Sequence, residues 1–138
     1  MKIAFTGAAL CALAACAADK PAALGPSVNN DMTAPALTSD QIRKLVVGNT
    51  GTGPISGSHI NLTIYVSPDG TALADLPTGI DHGMWHLTAD GQVCWKWDSY
   101  RAGQEYCQHV YQSGPDYRFV NSTMEEHFIF TPGKHIEA

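Results

Sequence analysis

Hydrophobic positions along the chain change period once. Ile42, Leu45 and Val46 recur at i, i+3 and i+4, the stripe of a short amphipathic helix. Leu37-Thr38-Ser39-Asp40-Gln41 opens that helix, with Thr38 placed to cap the first turn and Gln41, three residues on, placed to complete a capping box. Gly48 is its natural C-terminal stop. Beyond Gly48 the period becomes two. Ile60, Leu62, Ile64 and Val66 alternate with His59, Asn61, Thr63 and Tyr65, a strand with one buried face. Ser67-Pro68-Asp69-Gly70 reads as a turn, Thr71–Leu76 as a second strand, and Pro77-Thr78-Gly79 as its break. Gly83–Thr88 is a third strand, with Trp85 and Leu87 on one face and Met84 and His86 on the other. After the turn Ala89-Asp90-Gly91 comes Gln92–Asp98, with Val93, Trp95 and Trp97 facing away from Cys94 and Lys96. Glu105–Gln112, Tyr117–Asn121 and His127–Thr131 complete the series. Strands this short with turns this frequent predict an all-β fold with a minor α contribution: an antiparallel meander closing into a small lipocalin-like barrel or sandwich, plugged or flanked by the one short N-terminal helix.

The first residues follow a different logic. Met1-Lys2 is a short positive start, and Ile3–Ala15 is apolar or small, too short to span a bilayer as a helix and about the length of a signal-peptide core. Leu13-Ala14-Ala15-Cys16 resembles the bacterial lipobox, in which small residues admit the segment to the signal peptidase and the thiol carries the lipid. The expected organisation is a lipoprotein signal peptide over 1–15, a flexible tether over 16–36 rich in Ala, Pro, Asn, Gly and Ser, and one β-rich domain over 37–138. Lipidated Cys16 would anchor the chain to a membrane, and Ala17, where an Asp favours inner-membrane retention, leans toward the outer membrane facing the periplasm. The alternative is ordinary export with cleavage near Ala18, giving a soluble periplasmic or secreted protein.

Charge narrows the partners. The chain carries a formal net charge of -5, and loss of Lys2 with the signal peptide leaves -5 - 1 = -6. An acidic chain without a basic run argues against nucleic acid. Of four cysteines, Cys94 and Cys107 remain once Cys11 and Cys16 are assigned to the export segment, and in an oxidising compartment that even pair reads as one disulfide. Zinc is a poor rival because CxxC spacing is missing, and a free thiol would be oxidised. If Gln92–Asp98 and Glu105–Gln112 form a hairpin centred between Tyr100 and Arg101, Cys94 falls opposite Cys107 and Trp95 opposite Tyr106.

A family resemblance rests on Leu37-Thr38 opening a helix that ends in Gly48-Asn49-Thr50, on Asp69-Gly70-Thr71, Gly83-Met84-Trp85 and the run Asp90-Gly91-Gln92-Val93-Cys94-Trp95-Lys96-Trp97, and on Cys107 followed by His109 and Tyr111. These motifs resemble a group of small exported bacterial proteins, the family called domain of unknown function 995 or a relative of it. The resemblance covers most of Leu37 to Tyr117 and departs after Phe119. It implies fold and location and brings no chemistry.

Candidate chemistry is sparse. His82 and His86, with Asp81, are the metal-ligand candidates, but on a straight strand the two histidines lie roughly 13 Å apart, so a bend at Gly83 is required. No Gly-x-Ser-x-Gly elbow is present; Ser56-Gly57-Ser58-His59 reads as loop punctuation. Adjacent Glu125 and Glu126 point to opposite faces of a strand and are expected to be solvated. Gly48–Gly53 is glycine-rich but follows a helix, whereas a phosphate loop precedes one. Trp85, Trp95, Trp97, Tyr106 and Tyr111 cluster in consecutive strands and either fill a core or line an apolar pocket. The expectation is a non-enzymatic binding or envelope-associated module without a cofactor, taking a small apolar ligand or an envelope protein. The alternatives are a small envelope hydrolase or enzyme inhibitor, and a periplasmic metal-binding protein.

Overall fold

A computed structural model describes residues 34–55 and 58–138. The signal-peptide segment, Cys16, the tether up to residue 33, and Ser56 and Gly57 lie outside the described residues. Helix α1 spans Ser39–Val46 and is followed by eight strands: β1 Asn49–Pro54, β2 Asn61–Val66, β3 Thr71–Leu76, β4 Gly79–Leu87, β5 Gln92–Trp97, β6 Tyr106–Ser113, β7 Asp116–Val120 and β8 Glu125–Pro132. Each strand pairs antiparallel with the next, and β8 returns to pair with β1, so the sheet is a closed up-and-down barrel without free edges.

The helix forms where the sequence places it. Thr38 accepts from the Gln41 N–H at 3.2 Å while the Gln41 side chain accepts from the Thr38 N–H at 2.9 Å, closing the capping box. At the other end Gly48 adopts φ 76°, the left-handed stop. Ile42 and Val46 are fully buried in the barrel core. Leu37 donates its N–H to the Val110 carbonyl, Ser39 donates its hydroxyl to the Thr88 carbonyl, and Val47 bridges to Val66. Those ties run from β6 and the β4–β5 turn across to β2, so α1 lies over one end of the barrel as a plug. The β2–β3, β4–β5 and β6–β7 turns share that helix end. The β1–β2, β3–β4, β5–β6 and β7–β8 connections form the opposite, loop end.

The strand missing from the sequence pattern is β1, Asn-Thr-Gly-Thr-Gly-Pro, which has no apolar side chain to alternate. Its inward positions are glycines because other groups occupy the space. A Cβ on Gly51 would stand 2.7 Å from the Phe130 ring, and one on Gly53 would stand 1.5 Å from the His127 carbonyl oxygen. Phe130 thus supplies across the seam the bulk that β1 lacks. A second glycine works the same way: a Cβ on Gly83 would meet the Trp97 ring at 2.4 Å. Gly83 is therefore a seat for an indole and not a bend, and β4 runs unbroken from Gly79, four residues before the expected start at Gly83.

Phe119, Phe128 and Phe130 pack against one another with centroids 5.1–6.0 Å apart, and Trp95 stacks on Trp97 at 5.8 Å. With Leu62, Ile64, Val66, Val93 and Val110 these rings fill the interior, as a barrel of eight strands requires.

Candidate functional site

The loop end departs from apolar packing. Period-two alternation that turns Tyr106 and Val110 inward on β6 also turns Gln108 inward. The alternation that buries Phe128 on β8 buries Glu126 as well. Gln108 is fully buried and Glu126 is 2 % exposed. A buried amide and a buried carboxyl need partners, and the surrounding aromatics provide them. The Trp95 indole N–H donates to Gln108 Oε1 at 3.2 Å. Gln108 Nε2 donates to the Phe119 carbonyl and to Glu126 Oε2, both at 3.3 Å. The Tyr100 hydroxyl donates to Glu126 Oε1 at 3.3 Å, and the Trp97 indole N–H donates to the Tyr106 hydroxyl at 3.0 Å. Trp95 of β5, Gln108 of β6 and Tyr100 of the β5–β6 loop are joined in this way to the Glu126 carboxyl of β8, and Trp97 and Tyr106 form a separate bonded pair.

That loop caps the network. Its turn, Tyr100–Gly103, contains Arg101 at φ 58° and Ala102 at φ 54°, two consecutive non-glycine residues in the left-handed region, followed by Gly103 at φ 69°. Each such residue costs roughly 1–2 kcal/mol of backbone strain, so the surrounding contacts must hold the turn in place. Asp81 is one of those contacts. Its carboxylate, buried on the inner face of β4, accepts from the backbone N–H groups of Ser99 at 3.1 Å, Tyr100 at 2.7 Å and His82 at 3.1 Å. The Arg101 side chain supplies the other contact. Its guanidinium carbon lies 5.5 Å from the Tyr100 ring centroid and 5.8 Å from that of Tyr106, within cation–π range of both.

Electrostatics follow from burial. Desolvation pushes the Glu126 carboxyl above the usual carboxylate range, opposed by the Gln108 hydrogen bond and then by the positive charge of Arg101. Burial pushes both Tyr100 and Tyr106 up as well, and the neighbouring Glu126 adds to each. Glu125, one residue away on the outer face, goes the other way. Its carboxylate accepts from Arg118 Nε at 2.7 Å and lies 2.6 Å from His127 Nε2, and the Arg118 bond chiefly holds it below the usual range. The two glutamates do point to opposite faces, but the expectation that both are solvated is corrected: Glu126 points into the barrel because it is in phase with Phe128.

Of the residues singled out from sequence, Cys94 and Cys107 lie directly opposite on β5 and β6 and form the disulfide, with Trp95 opposite Tyr106 as the hairpin register required. Trp85, Trp95 and Trp97 are buried in the core, and Tyr106 packs against it at the loop end. Tyr111 does not join them. It is five residues from Tyr106 on the same strand, an odd offset that turns it outward, where it pairs in register with Arg118. His82, His86 and Asp81 do not converge. His82 and His86 are exposed on the outer face, Asp81 lies on the inner one, and His86 Nδ1 faces Glu105 Oε1 at 3.6 Å. Among the described residues no group of three His, Cys, Asp or Glu side chains is placed to hold a metal ion. Gln108, Tyr100 and Arg101 were not singled out, and Glu126 was considered only as half of a solvated pair. For Gln108 and Glu126 the signal was available, since both are in phase with inward aromatic or aliphatic neighbours.

No family model, curated protein or solved structure matches this chain.

Proposed function

We propose that this chain is a lipid-anchored protein of the bacterial outer membrane, facing the periplasm, that acts as a non-enzymatic binding module and takes its ligand at the loop end of the barrel. The anchor is Cys16 in Leu13-Ala14-Ala15-Cys16, and residues 16–36 are the tether that holds the domain off the membrane. One observation carries the binding reading: the polar network around Glu126 is concentrated at the barrel end that the helix does not plug. Concave ends of small β-barrels are common ligand sites, with a few convergent polar groups set among aromatic rings. Recognition is favoured over catalysis by the identity of the partners. Glu126 is bonded to an amide and a phenol, neither of them a second acid nor an activated nucleophile.

The test is mass spectrometry of full-length protein purified from its native envelope, under denaturing and then native conditions. A diacylglycerol-sized increment on Cys16, together with a non-covalent adduct that is lost in Trp97→Phe and Glu126→Gln but retained in an α1 variant such as Lys44→Ala, supports both halves of the proposal. An unlipidated chain beginning near Ala18 overturns the anchor. An adduct equally retained in all three variants overturns the site.

A further inference from the structure

The loop end already holds a cation, and that cation belongs to the chain itself. Arg101 lays its guanidinium against the Tyr100 and Tyr106 rings at 5.5 and 5.8 Å. The hydroxyls of these same tyrosines lead inward: that of Tyr100 to Glu126 Oε1 at 3.3 Å, and that of Tyr106 to the Trp97 indole at 3.0 Å. A positive group over two electron-rich ring faces, with a carboxyl set behind them, is the arrangement that recognises an organic cation. Besides the rings, Arg101 feels the Glu126 charge without touching it. None of the ion pairs among the described residues includes it, and its side chain lies on the exposed side of the turn.

The backbone beneath Arg101 is strained. Asp81 clamps the start of the loop through the Ser99 and Tyr100 N–H groups. Past that clamp, Arg101 and Ala102 are exposed and left-handed, and two backbone bonds hold the turn: Ala102 N–H to the Ser99 carbonyl and Gln104 N–H to the Arg101 carbonyl, both 3.0 Å. Tyr100 is thus fixed as part of the site, while the strained residue that follows can swing away. Relief of that strain offsets part of the lost stacking.

From this geometry we infer that the loop end is a binding site for a small organic monocation, a guanidinium or alkylammonium headgroup, and that Arg101 occupies it as an internal stand-in until the ligand displaces it. The inference rests on the binding reading above and names its ligand class. Tyr100 and Tyr106 form the faces of the site, and Trp97 orients Tyr106. Glu126, bonded to the Tyr100 hydroxyl, supplies the counter-charge behind the rings.

The experiment uses the full-length protein in detergent micelles and four probes of one chain length: butylguanidinium, butylammonium, butyramide and butyrate. Binding is read by calorimetry and by tryptophan emission, with folding of each variant checked by its thermal transition. Removing the internal competitor in Arg101→Ala should tighten both cations about tenfold or more relative to wild type. Adding Glu126→Gln to that variant should reverse the gain by about as much, because the counter-charge is gone while the side-chain shape is kept. Butyramide and butyrate should not bind detectably to any of the three proteins. A folded Arg101→Ala protein that takes neither cation, or that takes butyramide as tightly as butylguanidinium, overturns the cation assignment. The second of these outcomes leaves the loop-end binding reading standing. An envelope-derived adduct that survives Trp97→Phe and Glu126→Gln defeats that reading, whatever the probes do.

Discussion

The two ends of this barrel are closed by opposite means. At the helix end, Ile42 and Val46 insert from α1 into the core with Val66 and Trp85, and the polar groups there are caps and turn bonds at the periphery. Removing such apolar surface from water is favourable by about 25 cal/mol per Å², so this closure stabilises the fold directly. At the loop end a buried carboxyl and amide and two partly buried phenols lie under a left-handed turn, and burial of a carboxyl costs unless every oxygen is partnered. The difference teaches that the two ends of one barrel can be closed by different chemistry: apolar insertion at the helix end, and a partnered polar network at the loop end.

The comparison can be broken most severely at the seam that closes the barrel. Gly53→Ala places a methyl group against the His127 backbone carbonyl, which no rotamer change relieves, so the variant should fail to give a cooperative thermal transition. Gly51→Ala meets only the Phe130 ring and should remain folded at reduced stability. Unplugging the helix end with Ile42→Ala should cost about 2–5 kcal/mol in denaturant unfolding, the usual range for a fully buried aliphatic side chain. Tryptophan emission from the loop end should be unchanged below the transition. Replacing both cysteines by alanine should cost about 3 kcal/mol and make stability indifferent to reductant.

Smaller effects sharpen the comparison through pH. Glu126 holds its proton more tightly folded than unfolded, where the ordinary value is 4.5. Its favourable contribution is therefore complete below that value and is lost as pH rises through the higher folded pKa. Glu126→Gln cannot ionise, so its stability relative to wild type should improve as the pH of thermal melts is raised from about 5 to about 8. Glu125 has the opposite sign: held low by Arg118, it stabilises above its ordinary value of 4.5 and ceases to do so as pH falls through its lowered pKa. Arg118→Ala should remove that acid-side dependence at a cost below about 1 kcal/mol, because the pair is partly solvated.

Much of the barrel was legible from the sequence because alternation and turns are local. The capping box at Thr38–Gln41, the strand over Thr71–Leu76 and the register that sets Cys94 against Cys107 each depend on residues close along the chain. β1 was not legible, because its inward positions are occupied by the Phe130 ring and the His127 backbone carbonyl of β8, the far end of the sequence. Tyr111 and Glu126 were misjudged although a strict count of two along β6 and β8 assigns their faces. The Arg101 stack could not be read at all. It depends on two left-handed residues that are not themselves glycine, and on Asp81 reaching across from β4 to hold the loop.

The most direct test of the division between the two ends is hydrogen exchange on the full-length protein, with and without the small-molecule fraction of its native envelope. If the loop end is the binding site, added protection appears in Ser99–Gln104 and along Tyr106–Gln108, while Ser39–Val46 and the β2–β3 turn exchange as before. Protection confined to α1 and its neighbouring turns, or none anywhere with a fraction that yields a bound adduct, would contradict it.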